Sequence, residues 1–294
     1  MRLISELHFL TFDELRIFGL KLVDYREFNE IKNEILFFRN FDKRKRKGEY
    51  KKLIDEKTTE TVKFIYSTEI KANNIKTRES DDTSLRKFIS VKKRNMRDYA
   101  DACFRYLRYT ELFVFTGRSI SVAPDKFDDL QFILSTIDRK PVFIDNESEY
   151  KKYLFTASIP ELFSDNLIHL MSSVKKLTGW ENENLKDKTM EELKNIRDEK
   201  ILVNRETKLL NHINDLKSHS LFQSIIEDYE NLDKHYDKPL ILEYNTWQAM
   251  TMLNDGNIVG NFILDDNAQP KAIAPGNRAD IECYYEDFSV KTFP

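Results

Sequence analysis

Glycine and proline are scarce, seven of each in 294 residues, and most of them fall late in the chain. So few breakers over such a length argue for much helix. There are two cysteines, Cys103 and Cys283, in unlike contexts and at no metal-ligand spacing. They read as reduced thiols of a cytoplasmic protein. No segment holds the roughly 18 consecutive apolar residues of a membrane span. The opening "MRLISELHFL" lacks both a long apolar core and a small-residue cleavage site, so it reads as an amphipathic helix rather than a signal peptide. Nor is there a strong charge of one sign. The formal net charge is −3, so any affinity for nucleic acid must come from local basic patches. What remains is a soluble, charged globular chain, 40% hydrophobic and 33% charged, of a length that suggests two domains.

Residues 1–40 read as two or three helices. In "TFDELRIFGLKLV" Thr11 and Glu14 form a capping box, and Leu15, Phe18 and Leu22 follow at helical spacing. "EFNEIKNEILFFRN" places Phe28, Ile31, Ile35 and Phe38 on one face. A short helix, a turn and a second helix are compatible with a helix-turn-helix unit. Five consecutive basic residues, Lys43 to Lys47, are either a solvated helix end or a phosphate contact. Residues 49–90 read as mostly helical, with a loop at "ANNIKTRESDDTS".

The most informative helix is "KKRNMRDYADACFRYLRYT", residues 92–110. At about 100° per residue, Met96, Tyr99, Ala100, Cys103, Tyr106, Leu107 and Thr110 share one arc. Arg94, Arg97, Asp101, Arg105 and Arg108 share the opposite one. An outward arginine stripe suits DNA phosphates and guanine edges, because arginine is a permanently charged bidentate fork. The alternative is a solvent face in which Asp101 pairs with Arg97 and Arg105. "LFVFTGRSISVAP" follows at once as two short strands around Thr116-Gly117-Arg118. A basic helix followed by a small hairpin is a winged-helix arrangement, with the helix in the major groove and the wing against the backbone.

Residues 146–238 are charged and helical. Ile196, Leu202, Leu209, Leu210, Ile213 and Leu216 make a thin apolar stripe, so the segment reads as a connector. His212 and His219 lie on it and read as polar residues rather than ligands. After Pro239 the texture changes to an apolar helix, "LILEYNTWQAMTML", with one acid, Glu243. Strand-like segments then alternate with Gly, Pro, Asn and Asp turns as far as "NRADIECYYEDFSVKTFP", in which Asp280 opens an acid-rich hairpin. A carboxylate on an otherwise apolar helix is costly unless paired, hydrogen-bonded or metal-bound. A helix acid plus an acid opening a hairpin is the front half of the nuclease metal site written PD-(D/E)xK, in which carboxylates hold Mg²⁺. The same acids could also be surface turn residues.

At these residues the chain resembles the Type IIS restriction endonucleases of the AlwI-like family, most of all the MlyI/PleI group and related nicking endonucleases. The resemblance rests on "FNEIKNEILFFRN" (28–40), "IKTRESDDTSLRKFISVKKRNMRDYADACFRYLRYTELFV" (75–114), "LEYNTWQAMTMLN" (242–254) and "GNFILDDNAQPKAIAPGNRADIECYYEDFSV" (260–290). It implies an α+β, mainly α, architecture in three parts. These are a winged-helix DNA-recognition region over 1–145, a helical linker over 146–238, and the N-terminal part of a PD-(D/E)xK core over 239–294. It implies Mg²⁺-dependent hydrolysis of double-stranded DNA in the bacterial cytoplasm. Glu243 and Asp280 would be catalytic and metal-holding. Arg78, Lys92, Lys93, Arg94, Arg97, Arg105, Arg108 and Arg118 would contact DNA. Ala279 stands where the family usually has proline. The family's third metal ligand is a glutamate thirteen residues beyond the aspartate, where this chain has Phe293. The resemblance therefore implies a recognition region lacking its upstream part and an interrupted catalytic core that does not cut by itself. Two other readings stay open: a winged-helix module that binds DNA without chemistry, and a large subunit that works with a second nuclease subunit.

Overall fold

The computed structural model describes residues 1–22, 24–42, 47–78, 84–137, 147–154, 166–254, 257–273 and 279–284. It is mainly helical with three small antiparallel sheets, and so α+β. The basic run at Lys43 to Arg46, the turn before Ala279 and everything after Tyr284 lie outside the described residues. So do the second half of the expected hairpin and Phe293. The chain forms two compact units, Met1–Leu134 and Ser135–Pro294.

In the first unit, α1 (Arg2–Leu7) leads into β1 (Phe9–Thr11) and α2 (Phe12–Ile17). The capping box forms as expected: the Thr11 side chain accepts from the Glu14 amide, and the Glu14 carboxylate accepts from the Thr11 amide. The helix is shorter than the spacing of Leu15, Phe18 and Leu22 predicts, because the chain tightens into a 3₁₀ turn over Gly19–Lys21. α3 (Phe28–Asp42) buries Phe28, Ile31, Ile35 and Phe38, the four residues its periodicity nominates. α4 (Lys47–Ile65), α5 (Ser67–Lys71) and the 25-residue α6 (Leu85–Tyr109) follow.

β2 (Phe113–Thr116) and β3 (Ser119–Val122) form the hairpin at Gly117, whose φ of 59° suits a residue without Cβ. β3 also pairs with β1, giving the order β1-β3-β2, with Phe9 opposite Ser121 and Thr11 opposite Ser119. α7 (Phe127–Thr136) buries Leu130 and runs across the boundary at Leu134.

The seat of α6 differs from the predicted arc. The buried residues are Phe88, Val91, Met96, Ala100, Phe104 and Arg108, while Tyr99 and Tyr106 are exposed. The reason is that α6 packs on several neighbours, chiefly α2 and α4 and, near its end, β2, so the covered side rotates along its length. Phe104 fills the position the arc misses, edge-on to both Phe12 (5.4 Å between centroids) and Phe115 (5.7 Å). Arg108 is correspondingly drawn off the outward face. It is only 9% exposed, with its guanidinium 5.1 Å over the Phe115 ring.

The second unit contains α8 (Glu147–Leu154), α9 (Leu167–Thr178), the 28-residue α10 (Met190–Lys217), α11 (Phe222–Glu230) and α12 (Lys238–Leu253). The predicted apolar stripe of α10 divides between its ends. Leu193, with Ile196 packed alongside, joins Leu170, Val174 and Leu185. Leu216, with Leu209 and Ile213, joins Ile225, Tyr244, Trp247, Met252 and Ile258 around α12. Leu202 and Leu210 are exposed. β4 (Asn257–Gly260) pairs with β7 (Ile281–Tyr284), and β5 (Ile263–Leu264) with β6 (Pro270–Ala272). α12 lies against β4 and β6, which sets its residues beside the start of β7.

Candidate active site and nucleic-acid interface

α12 begins where Asp237 accepts from the Leu240 amide, with Pro239 in its first turn. Its middle is covered on nearly every side: Tyr244, Asn245, Trp247, Gln248 and Thr251 are all buried. His212 of α10 bridges to it, 3.0 Å from the Gln248 side-chain oxygen, and stacks on the Tyr244 ring at 6.2 Å. Burial lowers the pKa of His212, against the pull of that hydrogen bond and of Asp215, and so favours the neutral imidazole. His212 is thus a partly buried residue that links α10 to α12.

Glu243 precedes Tyr244 on this helix and is half-buried. Its Oε2 is withdrawn from solvent and has no hydrogen-bond partner among the described residues. Burial raises its pKa first, and the negative charges of Asp280 and Asp237 raise it further. Glu243 and Asp280, 37 residues apart in the chain, therefore feel each other's charge. An open cavity of about 570 Å³, lined in part by Tyr229, Lys238, Leu242 and Glu243, gives access to the carboxylate from outside.

Asp280 is half-buried, one residue before β7. Its main chain is held from both sides by Asn261. The Asn261 amide donates to the Asp280 carbonyl at 2.9 Å, and its side-chain Nδ2 donates to the Ala279 carbonyl at 2.8 Å. Gly260, paired with Ile281, leaves room for the rings beside this strand: a Cβ there would lie 2.8 Å from the Phe262 ring and 2.9 Å from Trp247. Asn261 therefore positions the strand aspartate. Nothing in its sequence context except its place between Gly260 and Phe262 signals that role.

A half-buried carboxylate with an orphaned oxygen, raised in pKa by a second carboxylate, is a pair that a hard divalent cation would neutralise. These residue types fit Mg²⁺, which takes oxygen ligands and is commonly held by one or two carboxylates plus water and phosphate. Among the described residues no group of three or more His, Cys, Asp or Glu is placed to share a metal ion.

The other predicted residues lie in the first unit. On α6, Arg94, Arg97 and Arg105 are exposed, interleaved with exposed Tyr99, Tyr106 and Tyr109. Arg105 pairs with Asp101, as the spacing allowed. Lys92 and Lys93 turn inward. The Lys92 ammonium sits 4.4 Å over the Tyr66 ring, and Lys93 pairs with Asp55 and reaches Thr59 Oγ1 at 3.2 Å. Arg118, at the hairpin turn, lies over Phe12 at 5.1 Å and is 3.5 Å from Asp13. Arg78 is exposed beside residues outside the described set. The tertiary structure thus collects Arg94, Arg97, Arg105 and Arg118 on α6 and its hairpin, and removes Arg108 from that face.

No helix among the described residues is long and apolar enough to cross a membrane. A comparison with curated protein sequences returns no match. A sequence model of the AlwI restriction endonuclease family matches residues 1–292, almost the whole chain, and with it the chain belongs to the AlwI restriction endonuclease family.

Proposed function

We propose that this restriction endonuclease is of Type IIS, a class whose reaction is Mg²⁺-dependent hydrolysis of a phosphodiester of double-stranded DNA, and that Glu243 and Asp280 are its metal-holding residues, in the bacterial cytoplasm. In this reading residues 1–145 form a winged-helix recognition region, 146–238 a linker and 239–294 the PD-(D/E)xK part. The observation that carries it is the orphaned Glu243 oxygen facing the charge of Asp280. Bound Mg²⁺ would supply an activated water and charge neutralisation at the scissile phosphate. Glu243 offers an already desolvated oxygen, so little reorganisation is needed when a cation arrives. Asp280 is held in place by the hydrogen bonds of Asn261, and α12 is tied to α10 by the contacts of His212 with Tyr244, Trp247 and Gln248.

The order α1-β1-α2 and then α6-β2-β3, with the sheet order β1-β3-β2, supports the winged-helix reading. α6 would enter the major groove with Arg94, Arg97 and Arg105, and Arg118 at the hairpin turn would face the backbone.

The test separates metal binding from DNA binding. Titration with Mn²⁺ as probe should show a site in the wild-type chain that Glu243→Gln and Asp280→Asn each abolish, while both variants bind duplex DNA as wild type does. Metal binding undiminished in either variant would overturn the assignment. Any Mg²⁺-dependent nicking of supercoiled plasmid must likewise vanish in both variants.

A further inference from the structure

Arg16 stands on the last turn of α2 and belongs to no recognised motif. Its side chain is 16% exposed. A guanidinium carries five N–H donors and no acceptor. Here Nη2 donates to Thr58 Oγ1 at 2.9 Å, Nη1 stands 4.0 Å from Asp13 Oδ1, and Nε is buried with no partner among the described residues. A buried donor left unsatisfied costs about 1–3 kcal/mol, so a native protein seldom keeps one without a use.

The surroundings carry surplus positive charge. The same Asp13 oxygen that faces Arg16 is 3.5 Å from Arg118 Nη2, so one carboxylate is divided between two arginines. The Arg118 carbonyl accepts from the Phe12 amide at 2.8 Å, which ties the hairpin turn to the start of α2. On the other side Thr58 belongs to α4, whose Asp55 is already paired with Lys93 of α6. Burial depresses the Arg16 pKa. Asp13 and Asp55 oppose this, while the positive charges of Arg97 and Arg118 reinforce it, so Arg97 of α6 lies within electrostatic reach of Arg16. Four cations (Arg16, Lys93, Arg97 and Arg118) thus face two carboxylates, Asp13 and Asp55. They come from three elements: α2, α6 and the β2–β3 turn.

We propose that Arg16, with Arg97 and Arg118, forms an anion site that receives one backbone phosphate of bound DNA, Arg16 being a contact additional to those of α6 and the hairpin. This rests on the DNA-binding reading of α6 above. A phosphodiester oxygen would meet the part of the Arg16 side chain that stays exposed and offset the cationic excess with a single negative charge. A phosphate contact carries no sequence information, so the site fixes how α6 lies on the duplex rather than which bases it reads.

The experiment is fluorescence anisotropy of a labelled 30-base-pair duplex across a KCl series, with the intact chain. Arg16→Gln should weaken binding about tenfold, equally for unrelated duplex sequences. It should also reduce the slope of log K against log salt by about 1, the value of one phosphate contact. Because Arg16 also hydrogen-bonds Thr58, a second variant keeps the test independent of folding: Asp13→Asn leaves Arg16 in place, removes its competitor and should tighten binding several-fold. Inorganic phosphate added at constant ionic strength should compete with wild type more than with Arg16→Gln. A folded Arg16→Gln with an unchanged salt slope, or an Asp13→Asn that gains nothing, overturns the site while leaving the DNA-binding reading intact. Absence of duplex binding by the wild-type chain overturns both.

Discussion

Glu14 in the first unit and Glu243 in the second are both helix carboxylates drawn away from water, and they are treated in opposite ways. Glu14 is 3% exposed and fully matched. Arg39 grips it with Nε at 2.6 Å and Nη2 at 2.9 Å, and the Thr11 amide donates to it at 2.8 Å. Arg39 spends its remaining donors on the carbonyls of Leu7 and Phe9, so that one ion pair joins α1, β1, α2 and α3. Glu243 is less buried, yet one of its oxygens has no partner among the described residues, and the charges that raise its pKa beyond the effect of burial are those of other carboxylates. A matched buried acid is structural. An unmatched one is a standing cost that a ligand can relieve, which is why perturbed carboxylates gather at functional sites.

The contrast can be broken most sharply at Arg39. Arg39→Ala leaves Glu14 buried and uncompensated, and should cost about 3–5 kcal/mol in urea unfolding. A loss below about 1 kcal/mol would mean that Glu14 is not held as described. Gly260→Ala should come next. The added methyl meets Phe262 and Trp247, for which a penalty of about 1–3 kcal/mol is expected, together with weaker Mn²⁺ binding as the Asp280 end of the sheet shifts.

Glu243→Gln should act in the reverse direction and stabilise the protein, raising Tm by about 2–4 °C at pH 8, the equivalent of about 1 kcal/mol. The sign follows from the raised pKa. The folded state holds the Glu243 proton more tightly than the unfolded chain does. Its contribution is therefore fully present below the unfolded pKa and lost as pH rises through the folded one. The advantage of glutamine should shrink as pH is lowered towards 4, and a gain that grew with acidity would refute the account. The smallest effect belongs to the exposed pair on α6. Asp101→Ala should change stability by less than about 1 kcal/mol, while freeing Arg105 and strengthening duplex binding at low salt.

Local signals were legible because their causes are local. The Thr11–Glu14 box, the core face of α3 and the Gly117 hairpin each depend on residues within a few positions of one another. The outward arginines of α6 were legible for the same reason. Its inward face was not: a single arc assumes one neighbour, and α6 packs on α2, α4 and β2, which buries Phe104 and draws Arg108 inward. Asn261 and Arg16 were illegible because their roles come from main-chain and side-chain groups brought to them by folding. Glu243 and Asp280 were nominated through the family likeness, and no spacing rule predicts that residues 37 apart will share a field.

By itself the sequence determined a helix-rich, sparsely broken chain, the capped start of α2, the core face of α3, and membership of the AlwI restriction endonuclease family. Only tertiary structure decided that β1 pairs with β3 more than a hundred residues away, that Arg39 neutralises Glu14, and that Asp280 stands close enough to Glu243 to raise its pKa. The reason is range. Hydrogen-bond caps and helical periodicity act over a few residues of chain. Desolvation and Coulomb coupling act over a few ångströms of space, and which residues share that space is set only when the elements pack.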